Sequence, residues 1–126
     1  MKYISYSKKK TNKTKVIMIN GNGKIFINKK NLKSYFGNIF NKNFILLPLI
    51  LSNFYNKNFY IITKGGGKMS QIFSIRISIC KCILLFNYNY KYFFRKLNFY
   101  SIDDRIVERK KYGYKKSRKK EQYSKR

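Results

Sequence analysis

No aspartate or glutamate precedes Asp103 in this chain. Nineteen of its thirty Lys and Arg residues fall before that point, while the four acids, Asp103, Asp104, Glu108 and Glu121, all follow it, and the net charge is +26. A domain built from residues 1–102 therefore has no carboxylate side chain for an internal ion pair, and its own repulsion opposes the compact state. A dense polyanion is the natural partner for such a surface. Nucleic acid supplies one, because each neutralised phosphate releases condensed counterions; an anionic membrane surface is the competing class. Hydrophobic residues make up 44% of the 126, enough for one modest core, which predicts a single domain rather than wholesale disorder.

The membrane alternative finds little support. The longest apolar run, Phe44 to Leu51, is short and contains Pro48, and the run from Ile72 to Phe86 is interrupted by Arg76 and Lys81. The opening residues, Met1 to Lys10, lack the apolar centre of a secretory signal, so a soluble protein or a member of a soluble assembly is expected. Cys80 and Cys82 do not make a disulfide framework. The chain has no His and no further Cys, so four-coordinate zinc has no ligand set, and the two thiols read as small core residues. Lys, Asn, Ile, Phe and Tyr are abundant while Ala and Trp are missing. These are the products of AT-rich codons, which points to a reduced endosymbiont or an organelle as the source.

The hydrophobic pattern predicts a mixture of strands and helices. Residues 1–12 read as a basic, poorly ordered arm. Lys13 to Ile19 alternates as a strand, Asn20-Gly21-Asn22-Gly23 signals a turn, and Lys24 to Ile27 reads as the returning strand of a hairpin. Asn31 is placed to cap a short helix, Leu32 to Phe36. Phe44 to Phe54 is helix-like, with Pro48 marking a kink or a late start. Phe59 to Thr63 reads as a third strand, closed by Gly65-Gly66-Gly67. The clearest helix runs from about Met69 to Phe86. Gln71, Ser74, Ser78 and Lys81 form one narrow polar stripe, and the apolar remainder is wide enough to pack on a sheet and touch other elements besides. Arg76 falls on the apolar side and must snorkel, meet phosphate, or pair with a carboxylate, for which Asp103 and Asp104 are the candidates. A further aromatic and basic helix is predicted over about Tyr90 to Asn98.

Catalytic motifs are absent. Gly67-Lys68 lacks the Gly five residues earlier that a phosphate-binding loop needs, since that position is Ile62, and Met69 stands where Ser or Thr is required. The glycine run reads instead as a strand-to-helix connection with positive φ. Gly21-Asn22-Gly23 is no dinucleotide fingerprint either. Asp103 and Asp104 precede Arg105, and Glu108 precedes Arg109, so local ion pairing accounts for the acids and no enzyme is expected.

After Ile102 the periodicity stops. Residues 103–126 hold eleven cations and only scattered apolar residues, too few to fold alone, which divides the chain into a globular part, 1–102, and an extended basic tail, 103–126. Tyr112, Tyr114 and Tyr123 are spaced among the cations, an arrangement that lets rings stack on unpaired bases while Lys and Arg hold phosphates. A flexible arm closing on Lys125-Arg126 carries two cations able to reach past the domain. Charge alone would equally fit a general nucleoid protein or RNA chaperone.

Specific blocks go further. Val107-Glu108-Arg109-Lys110-Lys111-Tyr112-Gly113 and Gln122-Tyr123-Ser124-Lys125-Arg126 resemble the closing signature of the bacterial-type small-subunit ribosomal protein S-nine family. Gly21-Asn22-Gly23-Lys24-Ile25 with Ile27-Asn28, Leu32 with Tyr35-Phe36, and Lys64-Gly65-Gly66-Gly67 with Gln71 and Ile75-Arg76 resemble its internal blocks, in order, and Lys8-Lys9-Lys10-Thr11 sits at its basic run. Cys80, Cys82, Ser74 and Ser78 depart from the Ala and Gly of the family's helices, and Ile17 and Ile102 replace cations. The resemblance implies an α+β fold, a small mixed sheet packed against helices and similar to the second domain of ribosomal protein S-five, with an extended C-terminal tail. It implies a non-catalytic place in the head of the small ribosomal subunit, beside other head proteins, with no cofactor, metal, membrane or homo-oligomer. Ribosomal RNA would be bound by Lys8, Lys9, Lys10 and Lys13 and, in the tail, by Arg105, Arg109, Lys110, Lys111, Tyr112, Lys115, Lys116, Arg118, Lys119 and Lys120. Ser124, Lys125 and Arg126 would reach the backbone of the peptidyl-site transfer RNA.

Overall fold

Period-two burial runs through Asn12–Asn20: Asn12, Thr14, Val16 and Met18 are buried, and Lys13, Lys15, Ile17 and Ile19 between them are not. This is β2, one strand of a five-stranded mixed sheet in a computed structural model that describes residues 1–37, 40–103 and 105–124. β1 (Lys2–Lys9) pairs antiparallel with it, from Lys2 opposite Ile19 to Lys9 opposite Asn12, across a two-residue turn in which Lys10 has φ 54°. The expected N-terminal arm is thus a strand. Its inward residues, Ser5 and Ser7, are too polar to announce a core face, yet both are buried and hydrogen-bond a helix above them: Ser5 Oγ donates to the Ser78 carbonyl at 2.7 Å and Ser7 Oγ to the Ser74 carbonyl at 2.6 Å.

β3 (Ile25–Ile27), β4 (Lys30–Asn31) and β5 (Lys57–Lys64) complete the sheet in the order β1-β2-β5-β3-β4. The expected hairpin between β2 and β3 does not form. β5 lies between them, antiparallel to β2 and parallel to β3. The turn signal at residues 20–24 is real, but the loop steps over the start of β5 instead of reversing beside β2. Asn58 holds it there, its Oδ1 accepting from the amides of Asn22 and Lys24 at 2.9 Å each. Gly23, at φ 78°, supplies the left-handed residue the step requires.

α1 (Leu32–Phe36) follows β4 at the expected position; Asn31 occupies the cap site without a side-chain capping bond. A 3-10 segment, Phe40–Ile45, leads into α2 (Leu47–Ser52), whose first turn carries Pro48, so the proline marks a late start. α3 (Lys68–Phe86) lies against β1 and β2, and a short α4 (Lys91–Lys96) closes the end of the core with Phe94. Gly65 and Gly66, at φ 77° and 65°, make the strand-to-helix connection. Ile72, Ile75, Ile79 and Ile83 of α3 meet Val16, Met18, Ile27, Phe59 and Ile61 of the sheet, and burying each such side chain contributes roughly 1.5–3 kcal/mol. α3 has the length and apolarity to cross a bilayer, but most of that surface is buried within this core.

The polar stripe of α3 lies inside. Ser74 and Ser78 are fully buried against β1, where their small side chains let helix and strand approach closely. Lys81 ends the stripe by donating to the Tyr6 carbonyl at 3.0 Å. Cys80 and Cys82 are buried and unpaired, as expected of core residues.

Candidate nucleic-acid interface

The helices cover one face of the sheet, so alternation along each strand turns the intervening residues to the other. Lys13 and Lys15 of β2, Tyr6 and Lys8 of β1, and Ile62 and Lys64 of β5 line a groove of about 690 Å³, together with Lys81 of α3 and Ile102. Of these, Lys8 and Lys13 are expected from the sequence, whereas Tyr6, Lys15, Ile62 and Lys64 are not. Their signal is the cation-for-apolar alternation in each strand, legible only once β5 is known to lie beside β2.

Lys9, Lys10 and Lys13 cluster at the β1–β2 turn, with Lys10 and Lys13 exposed and Lys9 half-buried. Lys9 is not free. Its Nζ lies 3.0 Å from Oδ2 of Asp103, whose Oδ1 accepts from Nε of Arg105 at 2.9 Å. The two cations hold the Asp103 carboxyl well below the usual carboxylate range, Arg105 contributing most. A parallel bridge pairs Lys9 with Asp103 in the backbone as well, so the first residue of the tail is pinned to the end of β1.

Arg76 does not pair with Asp103. Its guanidinium sits between the rings of Phe99 and Phe73, 4.5 Å and 5.0 Å from their centroids, and its Nε is buried without a hydrogen-bond partner among the described residues. Burial lowers its pKa from the ordinary arginine value. The Asp104 alternative lies outside the described residues.

Beyond Asp103 the described residues form neither helix nor strand. Arg105, Arg109, Lys110, Lys111, Tyr112, Lys115, Lys116, Lys119 and Lys120 are all exposed. Their backbone is shaped by a turn at Gly113, with φ 75°, and by Tyr114 bridging antiparallel to Lys120, where the Lys115 amide donates to the Lys119 carbonyl at 2.8 Å. Glu108 closes the same loop by pairing with Arg118 across ten residues, its carboxyl held low and the guanidinium held high by that contact. The expected local pair Glu108–Arg109 is replaced by this longer-range one, because the turn brings Arg118 back. Ser124 is exposed; Lys125 and Arg126 lie outside the described residues.

This arrangement suits anion binding. Burial pushes the Cys80 thiol up to about 12, so it stays protonated, and Cys82 is raised by the same cause. What the surface offers is a dense set of ammonium and guanidinium groups, held at a strand turn and along a segment without a core. The model of one family, described as Ribosomal protein S9/S16, matches residues 7–126, from the middle of β1 through the whole tail. A match over nearly all of the chain, joining the acid-free fold and the basic tail in one unit, means that this chain belongs to the ribosomal protein S9/S16 family, and is accordingly a small-subunit ribosomal protein that binds ribosomal RNA.

Proposed function

We propose that the chain is a structural, non-catalytic constituent of the small-subunit head, with residues 1–102 docked on folded ribosomal RNA and residues 103–126 threaded through its interior. Neighbouring head proteins are its other partners, and it acts as a single copy. The observation that carries this reading is the contrast at Asp103. Before it stands a packed fold; after it the described tail has no core, and nearly every cation is exposed. A segment of that kind gains a fixed conformation only against a partner that neutralises it. Arg105, Arg109, Lys110, Lys111, Lys115, Lys116, Arg118, Lys119 and Lys120 then hold phosphates, and Tyr112, fully exposed, has a free ring for an unpaired base. Ser124, Lys125 and Arg126 grip the backbone of the peptidyl-site transfer RNA through charge-assisted hydrogen bonds, which do not read sequence. The abundance of Lys, Asn, Ile, Phe and Tyr, residues of AT-rich codons, supports a ribosome of an AT-rich bacterium or an organelle as the setting.

Small subunits assembled with full-length chain, with Ser124–Arg126 deleted, or with the chain cut after Ile102 test both parts. The short deletion should leave sedimentation with the subunit intact and weaken peptidyl-site transfer RNA binding about tenfold, near 1.4 kcal/mol. The long truncation should abolish stable incorporation. Unchanged transfer RNA affinity would sink the role of the tip, and normal incorporation of the truncated chain would sink the role of the tail.

A further inference from the structure

The register of β1, β2 and β5 sets three lysines in a row across the open face of the sheet: Lys8 opposite Lys13, and Lys13 opposite Lys64. Like charges directly opposite one another destabilise a sheet, and no carboxylate among the described residues pairs with any of the three. The next outward row is Tyr6, Lys15 and Ile62, with the Lys15 ammonium 5.6 Å from the Tyr6 ring centroid. The row after that carries Tyr60 beside Phe26, their rings stacked 5.5 Å apart. Tyr6 is 61% exposed, Ile62 49% and Tyr60 41%. Cations at one end of the face thus give way to open rings toward the other; Tyr6 lines the groove with the lysines, and Tyr60 lies one row beyond it.

We propose that this sheet face binds a single-stranded stretch of RNA, with phosphates along Lys8, Lys13 and Lys64 and bases laid on Tyr6 and Tyr60. The proposal rests on the reading that the chain binds ribosomal RNA, and adds to the tail a second surface of different chemistry. A flat sheet cannot enter the deep, narrow groove of an RNA duplex, whereas unpaired bases stack readily on exposed rings while cations follow the backbone. An apolar protein segment laid on the same face would leave three opposed ammonium groups unneutralised.

The test uses the full-length chain and a twelve-residue oligouridylate carrying 4-thiouridine as the probe, cross-linked by light and mapped by mass spectrometry. Cross-links are expected on the peptides holding Tyr6 and Tyr60. Replacing Lys8, Lys13 and Lys64 together by Ala should reduce the slope of log affinity against log salt by about 2, since each single-strand phosphate contact contributes about 0.7. Tyr6→Leu, with unchanged circular dichroism, should lose its cross-link and bind about tenfold more weakly. Cross-links confined to residues 103–126, with an unchanged salt slope in the triple variant, would overturn the sheet surface and leave the tail reading standing. A lysine-reactive reagent joining Lys13 or Lys64 to another small-subunit protein in the assembled particle would overturn it in favour of a protein partner. Absence of cross-links from any part of the chain to small-subunit RNA would instead bring down the ribosomal RNA reading itself.

Discussion

Replacing Asn12 by Ala should destabilise the fold far more than its size suggests. Asn12 is fully buried at the start of β2, and its Nδ2 donates to Thr63 Oγ1 at 2.8 Å and to the carbonyls of Lys64 and Gly65 at 3.0 Å each. Its Oδ1 accepts from Thr14 Oγ1 at 2.9 Å. The side chain therefore ties the β1–β2 turn to the glycine connection that launches α3. Alanine removes all of these bonds. Thr14 and Thr63 still have each other at 3.0 Å, and Gly65 keeps its bond from Gln71 Nε2 at 3.2 Å, so the Lys64 carbonyl is the group left most exposed to loss. Two net hydrogen bonds at about 1 kcal/mol each, plus about 1 for the part-buried Lys64 carbonyl that loses this donor, give a loss of about 3 kcal/mol. That is a large share of the 5–15 kcal/mol typical of a domain. Urea unfolding of the isolated protein in 0.5 M salt, where self-repulsion is screened, measures it. With m of about 1–3 kcal/mol/M, the midpoint should fall by at least about 1 M at constant m. Asn12→Asp should cost more at neutral pH, because an ionised carboxylate donates nothing to three acceptor oxygens. A shift under about 0.2 M for Asn12→Ala would refute the reasoning.

Three further outcomes are expected. The Asp103 carboxyl, held low by Arg105 and Lys9, should titrate well below the ordinary aspartate value near 3.9. Because its folded pKa is depressed, the contribution of the clasp is complete above the unfolded value and is lost only as pH falls through the folded one; a carbon NMR midpoint near 3.9 would show that Lys9 and Arg105 do not hold it. Lowering salt from 0.1 M to 0.01 M lengthens screening from about 10 Å to about 30 Å, so the isolated protein should lose order at low salt, and a sharp unfolding transition there would contradict the charge argument. Cys80 and Cys82 should resist iodoacetamide at pH 8 until denaturant is added, and rapid alkylation of the native chain would be inconsistent with their burial.

Most element types were legible in the residues, because β2, β5 and α3 carry strong periods and α1 begins after Asn31. The errors fell where the pattern was small and polar. Ser5 and Ser7 looked like part of a solvated arm, and Ser74 and Ser78 like an ordinary polar stripe. Ser5 and Ser7 bond the carbonyls of Ser78 and Ser74, and Ser7 also meets the Ser74 hydroxyl, a complementarity that exists only when strand and helix are docked. The hairpin failed for a related reason: Asn-Gly doublets specify a bend in the backbone, while the strand that fills the gap comes from thirty residues later and is chosen by Asn58 and by long-range packing.

The tail shows the same division. Its lack of a core, its cations and its spaced tyrosines follow from composition, which sets how much surface a segment can bury. Where it is anchored does not. That Asp103 meets Lys9, that Glu108 reaches Arg118 rather than Arg109, and that Arg76 rests between Phe73 and Phe99 are decided by distances the linear chain does not contain. Composition alone determined that residues 1–102 carry nineteen cations and no acid; the tertiary register alone decided that Lys8, Lys13 and Lys64 would stand in one row, because strand pairing, not sequence distance, sets neighbours.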